Sequence, residues 1–318
     1  MGEANRYTRR DFVRRSASCA AHIGLMSAAA PMWSRKLWAS QERFPVVASE
    51  PWGRIERIAE GIWGLVSDPF QDRTTLCNGG IVAGRSGVVV IEAFGSDEGA
   101  RWMNEQARRL TGRSPTHVVL THYHGDHTGG LRGAVEGDVE LLATPVTRDL
   151  TRGNRNAPNP ILNLATPLDT IRPTEIDLGD RSLIIVPRRG HTDSDITVEV
   201  PDASVVFCGD LVWNGMFPNY MDAIPSRLTQ AVRLMRATSA STYVPGHGPL
   251  SDAASVDRYI NLLDDVEAAA HRAMERGITA EQAGSEYRLP AGMADWELFN
   301  SDYFVTAIDS WMTELGAP

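Results

Sequence analysis

Three histidines and one aspartate lie within six residues of one another, directly after a predicted strand that ends at Leu120: His122, His124, Asp126 and His127. A strand end that opens into a glycine-containing loop lets such side chains converge on one point beyond the sheet. Imidazole and carboxylate groups in this mixture are ligands suited to Zn²⁺ or Fe²⁺. Protonated imidazoles packed this tightly would repel one another, whereas a shared metal ion explains their density. The segment therefore predicts a metal centre.

Four ligands in one short loop are more than a single tetrahedral zinc ion can bind while it keeps a position for a catalytic water. Further ligands or a second metal are therefore needed. Three candidates each lie beside a glycine at the end of a predicted strand: His191, Asp210 and His247. Each is a weak signal alone, since a Gly-Asp pair is usually a turn, but in this order they indicate one shared centre. The other histidines lie in a leader, at a strand start and in a helix, where we expect no metal role: His22, His117 and His271.

Short apolar runs separated by glycine-bearing turns predict the strands that position these ligands. The predicted strands span residues 54–58, 62–66, 80–83, 88–91, 117–120, 139–142, 183–186, 197–200, 205–207 and 242–244. Helical spacing of apolar residues predicts helices over 98–110, 145–150, 226–235, 256–274 and 304–315. Two strand-rich halves, each followed by helices, predict an α/β fold of two face-to-face sheets between helices, a four-layer αββα sandwich. The Asn- and Pro-rich segment 151–173 is predicted to be a long surface loop that could border the site.

The pattern His-x-His-x-Asp-His, followed by a histidine, an aspartate and a histidine, resembles the metallo-β-lactamase-fold superfamily of metal-dependent hydrolases. The resemblance covers essentially residues 54–274, and it implies the same sandwich with the site at the edge between the sheets. It implies two Zn²⁺ ions, with Fe or Mn as alternatives. It also implies that His122, His124 and His191 bind the first metal and that Asp126, His127 and His247 bind the second. Asp210 would then bridge the two metals.

Three positions depart from the family pattern. Glu92 stands where many members have an aspartate after the fourth strand, so a hydrogen bond beside the metals can differ in reach. Asp193 replaces the usual Gly or Pro after the third ligand, and Asp195 beyond it either orients ligands or terminates a strand. Asp210 is typical of the glyoxalase- and lactonase-like branches, whereas the penicillin-destroying branch has a cysteine there. The bridging position therefore favours substrates other than β-lactams.

The chemistry that the resemblance implies is attack on an ester, lactone, thioester or amide carbonyl of a small molecule. A hydroxide shared by the two metals would be the nucleophile, because each metal lowers the pKa of bound water towards about 7. Asp126 would orient this nucleophile and could shuttle its proton, which makes it the candidate catalytic residue. Five residues near the ligands either contact the substrate or only pack their loop: Tyr123, Trp213, Asn214, Phe217 and Tyr220.

Two alternative activities stay open. The first is β-lactamase activity on the same site. The second is an iron-dependent oxidoreductase of the sulfur dioxygenase kind, with His122, His191 and Asp210 around one iron, because related enzymes carry a similar motif. A non-catalytic binding module would be expected to have lost ligands, and here all seven are present.

The composition of the 318-residue chain excludes other classes of function. Lys36 is its only lysine and lies near the predicted leader, so a P-loop or a pyridoxal-phosphate site has no suitable residue. The net charge of −9 opposes binding to nucleic acid or anionic lipid, since these partners are held mainly by clustered cationic side chains. We therefore expect a small-molecule substrate and no nucleic-acid partner.

Residues 1–30 differ from the rest of the chain. They carry five arginines against Glu3 and Asp11, and the run from Thr8 to Arg14 resembles the twin-arginine (Tat) export motif, followed by a mildly apolar stretch. A basic amphipathic helix of the fold is the alternative. We expect residues 1–30 to engage the Tat export machinery and residues 31–318 to form the hydrolase domain with a C-terminal helical extension. The protein would then be exported in folded form, to be periplasmic or secreted.

Three further expectations concern the environment of the mature chain. No segment approaches the about 20 apolar residues that a transmembrane helix needs, so we expect no stable membrane insertion. Cys77 and Cys208 lie in apolar runs and are predicted to be buried thiols rather than a disulfide. The C-terminal helix is predicted to pack on the core; a lid or a dimer contact, which would make the protein a homo-oligomer, is the alternative.

Overall fold

The computed structural model describes residues 42–153 and 159–316, so the predicted export signal lies outside the described residues. Within this part of the chain the strands form two sheets. The first has eight strands in sequence order: β1 (Val46–Glu50), β2 (Gly53–Ala59), β3 (Ile62–Ser67), β4 (Gly79–Ala83), β5 (Val88–Ile91), β6 (His117–Val119), β7 (Glu140–Ala143) and β8 (Thr166–Pro167). The second has six, in the order β14-β13-β12-β11-β10-β9: β9 (Thr174–Asp177), β10 (Ser182–Pro187), β11 (Ile196–Val200), β12 (Val205–Trp213), β13 (Thr242–His247) and β14 (Ser251–Asp252).

Helices connect and cover these sheets. The α-helices in the described ranges are α1 (Asp97–Thr111), α2 (Gly125–Thr128), α3 (Leu131–Ala134), α4 (Pro145–Gly153), α5 (Pro225–Arg236), α6 (Ala253–Arg276), α7 (Ala280–Glu286) and α8 (Asp302–Glu314). Short 3₁₀ helices occupy Pro160–Leu164, Pro201–Ala203 and Ala291–Met293. None of the helices that the structure describes is both long and apolar enough to cross a membrane.

The direction of the strands decides where the loops meet. Strands β5, β6 and β7 run parallel, so the loops that follow them leave the first sheet at the same edge. In the second sheet β12 and β13 are also parallel, whereas their outer neighbours β11 and β14 are antiparallel to them. The carboxyl ends of parallel strands are where α/β proteins usually place functional groups.

The packing of β5 shows why the fold has four layers. Val88 and Val90 pack in one apolar cluster with Met103 of α1, whereas Val89 and Ile91 face the larger cluster that fills the space between the sheets. This alternation follows from the two-residue period of a strand, and a strand buried on both faces reads as a continuous apolar run. Helices α5 and α6 cover the second sheet with buried apolar side chains, and α8 packs on these two helices. The predicted αββα sandwich is therefore confirmed.

The long helix behind the first sheet shows how local sequence sets the element ends. Ser96 caps α1 by accepting a hydrogen bond from the Gly99 amide at 3.1 Å, and Asp97 and Glu98 lie in the first turn, where carboxylates favour the positive end of the helix dipole. At the other end Gly112 adopts a φ of 73° and donates its amide to the Arg108 carbonyl, a left-handed cap that glycine takes without steric cost.

Several elements differ from the sequence predictions. The segment 151–173 is not one loop, because α4 continues to Gly153, a 3₁₀ helix follows Asn159, and β8 pairs in parallel with β7. Asn159 caps that 3₁₀ helix, and Pro160 at its first position has no amide hydrogen to satisfy, so these two residues start a helical turn within the predicted loop.

Two of the expectations for the mature chain can be compared with the structure. Cys77 and Cys208 are both buried and free, as predicted. The C-terminal helix α8 packs on the core through Ile308 and Trp311, which are 1% and 3% exposed.

Candidate metal centre

The predicted metal ligands converge at the edge where the two sheets meet. His122 and His124 lie in the loop after β6, and Asp126 and His127 lie in α2. His191 lies in the β10–β11 connection, Asp210 lies in β12, and His247 is the last residue of β13. The first sheet therefore supplies four of these side chains and the second sheet supplies three. This placement follows from the parallel strands β5–β7 and β12–β13, whose ends point to a common edge.

The ligand atoms form two groups, within each of which all atoms lie within 4.8 Å of one another. We call them the first group, with His122, His124, His191 and Asp210, and the second group, with Asp126, His127, His247 and Asp210. Asp210 belongs to both. The grouping has the composition that the family resemblance implied.

Asp210 connects the groups because its two carboxylate oxygens face opposite ways. Oδ2 lies 3.3 Å from His191 Nε2 and 3.9 Å from His122 Nε2 in the first group. Oδ1 lies 3.1 Å from His127 Nε2 and 3.4 Å from His247 Nε2 in the second group. A carboxylate in this position can bind two cations at once.

Several polar atoms at the centre are buried and make no hydrogen bond within the described residues. They are His122 Nε2, His127 Nε2, His247 Nε2 and Asp210 Oδ1. A buried polar atom without a partner costs about 1–3 kcal/mol, so a cluster of such atoms needs an explanation. Bound metal ions would satisfy all four, and imidazole with carboxylate is a donor set that Zn²⁺ accepts. The residues present therefore fit a pair of metal ions.

The electrostatics of the centre favour the metal-binding protonation state in three of the ligands, Asp210, His191 and His122. Burial raises the pKa of Asp210, but the positive charge of His247 and His127 outweighs it and holds that pKa well below the usual range. Burial lowers the pKa of His191 to about 4 and, with repulsion from His127, that of His122 well below its ordinary value. A carboxylate and neutral imidazoles carry the lone pairs that a cation needs.

A loop residue that the sequence analysis missed orients His124. The ring of His124 lies with Nε2 3.0 Å from Asp222 Oδ2 and with Nδ1 3.0 Å from His191 Nε2. Tyr123 donates its hydroxyl to the same Asp222 oxygen at 2.6 Å. Burial raises the pKa of Asp222, but hydrogen bonds and charge from His124 outweigh it and lower that pKa to about 2. Such a carboxylate fixes the ring so that Nδ1 faces the first group.

Glu92 orients His127, as Asp222 orients His124. Its Oε1 lies 3.1 Å from His127 Nδ1 and accepts the Thr121 hydroxyl at 2.6 Å. Glu92 follows β5 directly, is 1% exposed and has a φ of 83°, a left-handed conformation that is uncommon outside glycine. Glu92, which replaces the family's aspartate, thus contacts His127 from the end of β5 and orients the ring so that the Nε2 of His127 points toward Asp210.

Asn78 holds the end of β13 that carries His247. Its amide nitrogen Nδ2 donates to the Pro245 carbonyl at 3.0 Å and to the Gly248 carbonyl at 2.7 Å, while its Oδ1 accepts the Ser67 amide at 2.8 Å. Asn78 is 2% exposed and lies beside β4 in the other sheet. One side chain therefore ties the strand end bearing His247 to the first sheet, a contact across 167 residues of chain that no local pattern reveals.

The two acidic residues after His191 have different surroundings. Asp195 is buried and accepts hydrogen bonds from the amide and the hydroxyl of Thr192 at 2.8 and 2.7 Å, and burial raises its pKa to about 7. It thereby closes the turn that presents His191. Asp193 is exposed and pairs with Arg189. Of the two roles considered for Asp195, ordering the loop around a ligand is the one that its contacts favour.

The predicted substrate contacts separate into two sets. Tyr123 lies beside the first group through Asp222, and the Trp213 ring lies 4.2 Å from the His247 ring. Asn214 donates to the Pro249 carbonyl at 2.9 Å. Phe217 and Tyr220 are fully buried instead: Phe217 packs edge-on against Phe304, and Tyr220 lies in the core beneath α8. Their side chains fill the core rather than a pocket wall, because the chain turns inward after Gly215.

The two remaining histidines with described positions lie apart from both groups. His117 is at the start of β6, with Nε2 3.5 Å from Glu140 Oε2, and His271 is on α6, 4.0 Å from Glu267. His22 lies outside the described residues.

Curated proteins with similar sequences span several activities. The chain is 23% identical over 217 residues to a metallo-beta-lactamase type 2 of Bacillus cereus, which covers 66% of this chain and 82% of that protein. It is 25% identical over 225 residues to the 2,4-dinitroanisole O-demethylase subunit beta of a Nocardioides species, covering 70% and 67%. It is 26% identical over 153 residues to a hydroxyacylglutathione hydrolase of Parasynechococcus marenigrum, covering 45% and 54%.

Solved structures show the same fold. A metallo-beta-lactamase from Erythrobacter litoralis with beta-mercaptoethanol in its active site superposes with a TM-score of 0.55 at 20% identity, covering 70% of this chain and 100% of that one. A stereoselective inverting sec-alkylsulfatase from a Pseudomonas species gives a TM-score of 0.63 at 16% identity, covering 83% and 50%. A family model described as the metallo-beta-lactamase superfamily matches residues 72–247. Because this match spans more than half of the chain and contains every residue of both ligand groups, the protein belongs to the metallo-beta-lactamase superfamily and is a metal-dependent hydrolase.

Proposed function

We propose that the protein is a binuclear zinc hydrolase that cleaves the ester, lactone, thioester or amide bond of a small molecule. The observation that supports this most strongly is the orientation of Asp210, whose two oxygens face two separate groups of ligand atoms. A single metal ion in the first group would leave the buried Nε2 atoms of His127 and His247 without a partner.

Zinc is the proposed metal because the donor set consists of imidazoles and carboxylates, with Fe or Mn as alternatives. When bound, two divalent ions polarise a carbonyl oxygen and lower the pKa of water so that it attacks near neutral pH. His122, His124 and His191 would hold one ion, Asp126, His127 and His247 would hold the other, and Asp210 would lie between them.

Asp126 is the chain's own candidate for proton handling. Its Oδ2 lies 3.2 Å from His247 Nε2 and 3.4 Å from His127 Nε2, so one oxygen belongs to the second group. Its side chain is 22% exposed, against 3% for Asp210, so it is the more accessible of these two carboxylates to water. A carboxylate in that position can orient a water molecule, accept its proton and pass it to the leaving group.

The test is metal analysis of protein purified from its native host, followed by a hydrolysis screen of the zinc-loaded protein. We expect about two zinc ions per chain and turnover of at least one lactone, thioester or carboxylic ester. Phosphoesters and sulfate esters complete the screen. Turnover of no substrate by protein with both metals bound would refute the proposal, and one iron per chain with O₂ uptake on a persulfide would favour the dioxygenase alternative.

β-Lactam hydrolysis is the second candidate, because a type 2 metallo-beta-lactamase is among the similar proteins over 82% of that protein's length. The carboxylate of Asp210 at the bridging position supports the carbonyl esters and lactones instead. Including penicillins and cephalosporins in the same screen decides between the two, with kcat/KM for each class as the measure.

We propose further that residues 1–30 direct Tat export and that the protein acts in the periplasm or outside the cell. The supporting observation is the pair Arg9 and Arg10 in its motif. A reporter fused behind residues 1–41 should reach the periplasm. Replacing Arg9 and Arg10 by lysine should abolish export, whereas the same change at Arg14 and Arg15 should not. Equal export of both variants would contradict a twin-arginine signal.

A further inference from the structure

A row of aromatic rings extends from the second ligand group toward the surface. Trp213 lies 4.2 Å from the His247 ring at an interplanar angle of 42°, and Phe299 lies edge-on to Trp213 at 6.2 Å. Phe70 continues the row at 5.9 Å from Phe299. These centroid separations fall within or close to the range in which aromatic side chains attract one another. The row therefore begins at a metal ligand and ends at two phenylalanines from separate segments of the chain.

Phe299, the middle ring of the row, comes from the C-terminal part of the chain, beyond the region that the superfamily model matches. Its segment is fixed to the turn that follows β12. The Glu297 amide donates to the Gly215 carbonyl at 2.9 Å, and the Phe217 amide donates to the Glu297 carbonyl at 2.9 Å, which makes a short parallel bridge. The same strand, β12, carries Asp210 and Trp213. Phe299 is thus held in register with the metal centre by backbone hydrogen bonds.

The outer ring, Phe70, lies in the β3–β4 connection, which is also ordered. Asp68 accepts the Phe70 amide at 2.9 Å. Asp72, which is 2% exposed, accepts the hydroxyl of Ser67 at 2.6 Å and the amides of Thr74 and Thr75 at 2.6 and 2.8 Å. A buried carboxylate with this many donors holds its loop in one conformation. The segments that carry Phe299 and Phe70 are therefore both held in place by hydrogen bonds.

The exposure of the rings changes along the row. Trp213 is 5% exposed, whereas Phe70 and Phe299 are only half-buried. The inner ring is thus covered by protein, and the two phenylalanines, one and two rings further from His247, are partly exposed to solvent. Exposed aromatic surface next to convergent polar groups is the usual composition of a small-molecule site.

The charges of the neighbouring residues restrict what this surface can bind. Asp68 lies two residues from Phe70, Glu297 lies two residues from Phe299, and Asp126 and Asp222 lie at the centre itself. Beside the two phenylalanines themselves, Asp68 and Glu297 oppose an apolar group that carries a carboxylate or a phosphate. An uncharged aromatic or alkyl group suits the surface better.

We propose that Phe299, with Phe70 beside it, forms the wall that binds an uncharged aromatic or alkyl group of the substrate, so that the C-terminal segment determines substrate specificity. This inference rests on the proposed hydrolase function and names the class of substrate: a neutral ester or lactone with an apolar group of several carbons. The apolar group would lie along the two phenylalanines while the carbonyl meets the metal centre.

The test uses the zinc-loaded full-length protein and p-nitrophenyl esters from acetate to hexanoate. Full burial of one methylene group corresponds to about a fourfold gain, and a wall on one side of the acyl chain buries it incompletely, so kcat/KM of the wild type should rise about threefold per added methylene. In Phe299→Ala this rise should disappear, so kcat/KM for the hexanoate, which has four more methylenes than the acetate, should fall by about 80-fold and that for the acetate by less than about twofold. Phe299→Leu should keep most of the rise, and Phe70→Ala should lose part of it.

A matched control and a second measurement separate this inference from the proposed function. Phe44→Ala removes another half-buried phenylalanine, one that packs on the main core beside Arg43, and should leave the chain-length dependence unchanged. Affinity for thiols needs no turnover, because a thiolate binds zinc directly. Calorimetry should show that the wild type binds 2-phenylethanethiol about tenfold more tightly than 2-mercaptoethanol, and that Phe299→Ala loses this preference.

The outcomes are distinct. A flat ester series in a wild type that hydrolyses the acetate, or an unchanged thiol preference in both Phe299→Ala and Phe70→Ala, would overturn the inference and leave the hydrolase function in place. A thiol preference that depends on Phe299, in protein that hydrolyses none of the substrates, would support the wall and refute the proposed function.

Discussion

The two ligand groups that share Asp210 are supported by different parts of the fold. In the second group, His127 is oriented by Glu92 at the end of β5, and the strand end bearing His247 is held by Asn78; both supporting residues are no more than 2% exposed. In the first group, His124 is oriented by Asp222, whose side chain is 33% exposed and lies in the loop before α5. The second group is thus fixed by buried side chains at sheet ends, and the first depends in part on a surface loop.

This difference teaches how a metal centre can combine rigidity with access. A buried support keeps its geometry because the surrounding core resists displacement. A partly exposed residue such as Asp222 loses part of its hydrogen bonding to water and can move with its loop. We therefore expect the second group to hold its metal more tightly than the first, and the following four variants test that order.

Asp210→Ala should have the largest effect, because it removes a ligand from both groups. We expect bound zinc to fall from about two per chain to below one and hydrolysis to drop by about 1000-fold or more, the equivalent of several kcal/mol of transition-state stabilisation. Zinc analysis after gel filtration and kcat/KM are the measurements. Asp257→Ala, which removes an exposed aspartate paired with Arg236 on the outer helices, is the control. Two zinc ions retained in Asp210→Ala, with full activity, would show that the groups do not share a ligand.

Asn78→Ala should lower the free energy of unfolding of the metal-free protein by about 3 kcal/mol, since three hydrogen bonds of about 1 kcal/mol each are lost. It should also weaken binding at the second group, because His247 loses its fixed position. Urea denaturation and zinc titration measure the two effects. Asn104→Ala removes another buried asparagine, which donates to the carbonyls of Gly133 and Ala134 away from the centre. It should lose stability without loss of zinc affinity, and equal zinc affinities in the two variants would argue against a positioning role for Asn78.

Glu92→Gln should weaken the second group by about 10- to 100-fold in metal affinity, the usual cost of losing the partner that orients a ligating histidine. The amide keeps the length of the side chain but not its charge. Competition with a chromophoric chelator gives the affinities, and the spectrum of the cobalt-substituted protein shows which group has emptied. Glu56→Gln, in a buried glutamate paired with Arg54 on β2, should leave both affinities unchanged. Loss of metal from the first group instead would reverse the assignment.

Asp222→Asn should have the smallest effect, about tenfold or less on the affinity of the first group, because Asp222 is 33% exposed and water can replace part of its interaction with His124. Tyr123→Phe removes only the second donor to Asp222 and should change the affinity less. The same cobalt spectra provide the measurement. If Asp222→Asn empties the first group more completely than Glu92→Gln empties the second, the expected order of the two supports is wrong.

The strands and ligands that could be predicted from sequence are those whose signal is local. The run Val88 to Ile91 is apolar at every position because it is buried on both faces, and three histidines in one short loop are rarely anything but ligands. Edge strands such as β9 escaped prediction, because their half-exposed residues alternate weakly and resemble a loop. The prediction of one long loop over 151–173 missed a 3₁₀ helix for a local reason: Asn159 and Pro160, read as loop residues, form its start.

The residues that orient the ligands could not be predicted because their partners lie far away in sequence. Asn78 is identified only by carbonyls about 170 positions later, and Asp222 by a histidine 98 positions earlier. Phe217 and Tyr220 show the converse, since closeness to Asp210 in sequence suggested a pocket while the chain directs both rings into the core. Sequence spacing therefore locates a ligand set well, but it gives little information on what holds that set in place.

The dual membership of Asp210 has a thermodynamic consequence. When one ion fixes the orientation of this carboxylate, it changes the free energy with which the other ion binds, and linkage requires the change to be the same in the reverse direction. For the proposed pair of ions, the two sites would therefore not titrate independently: a single coupling free energy, carried by one side chain on β12, would determine whether the centre fills in one step or in two.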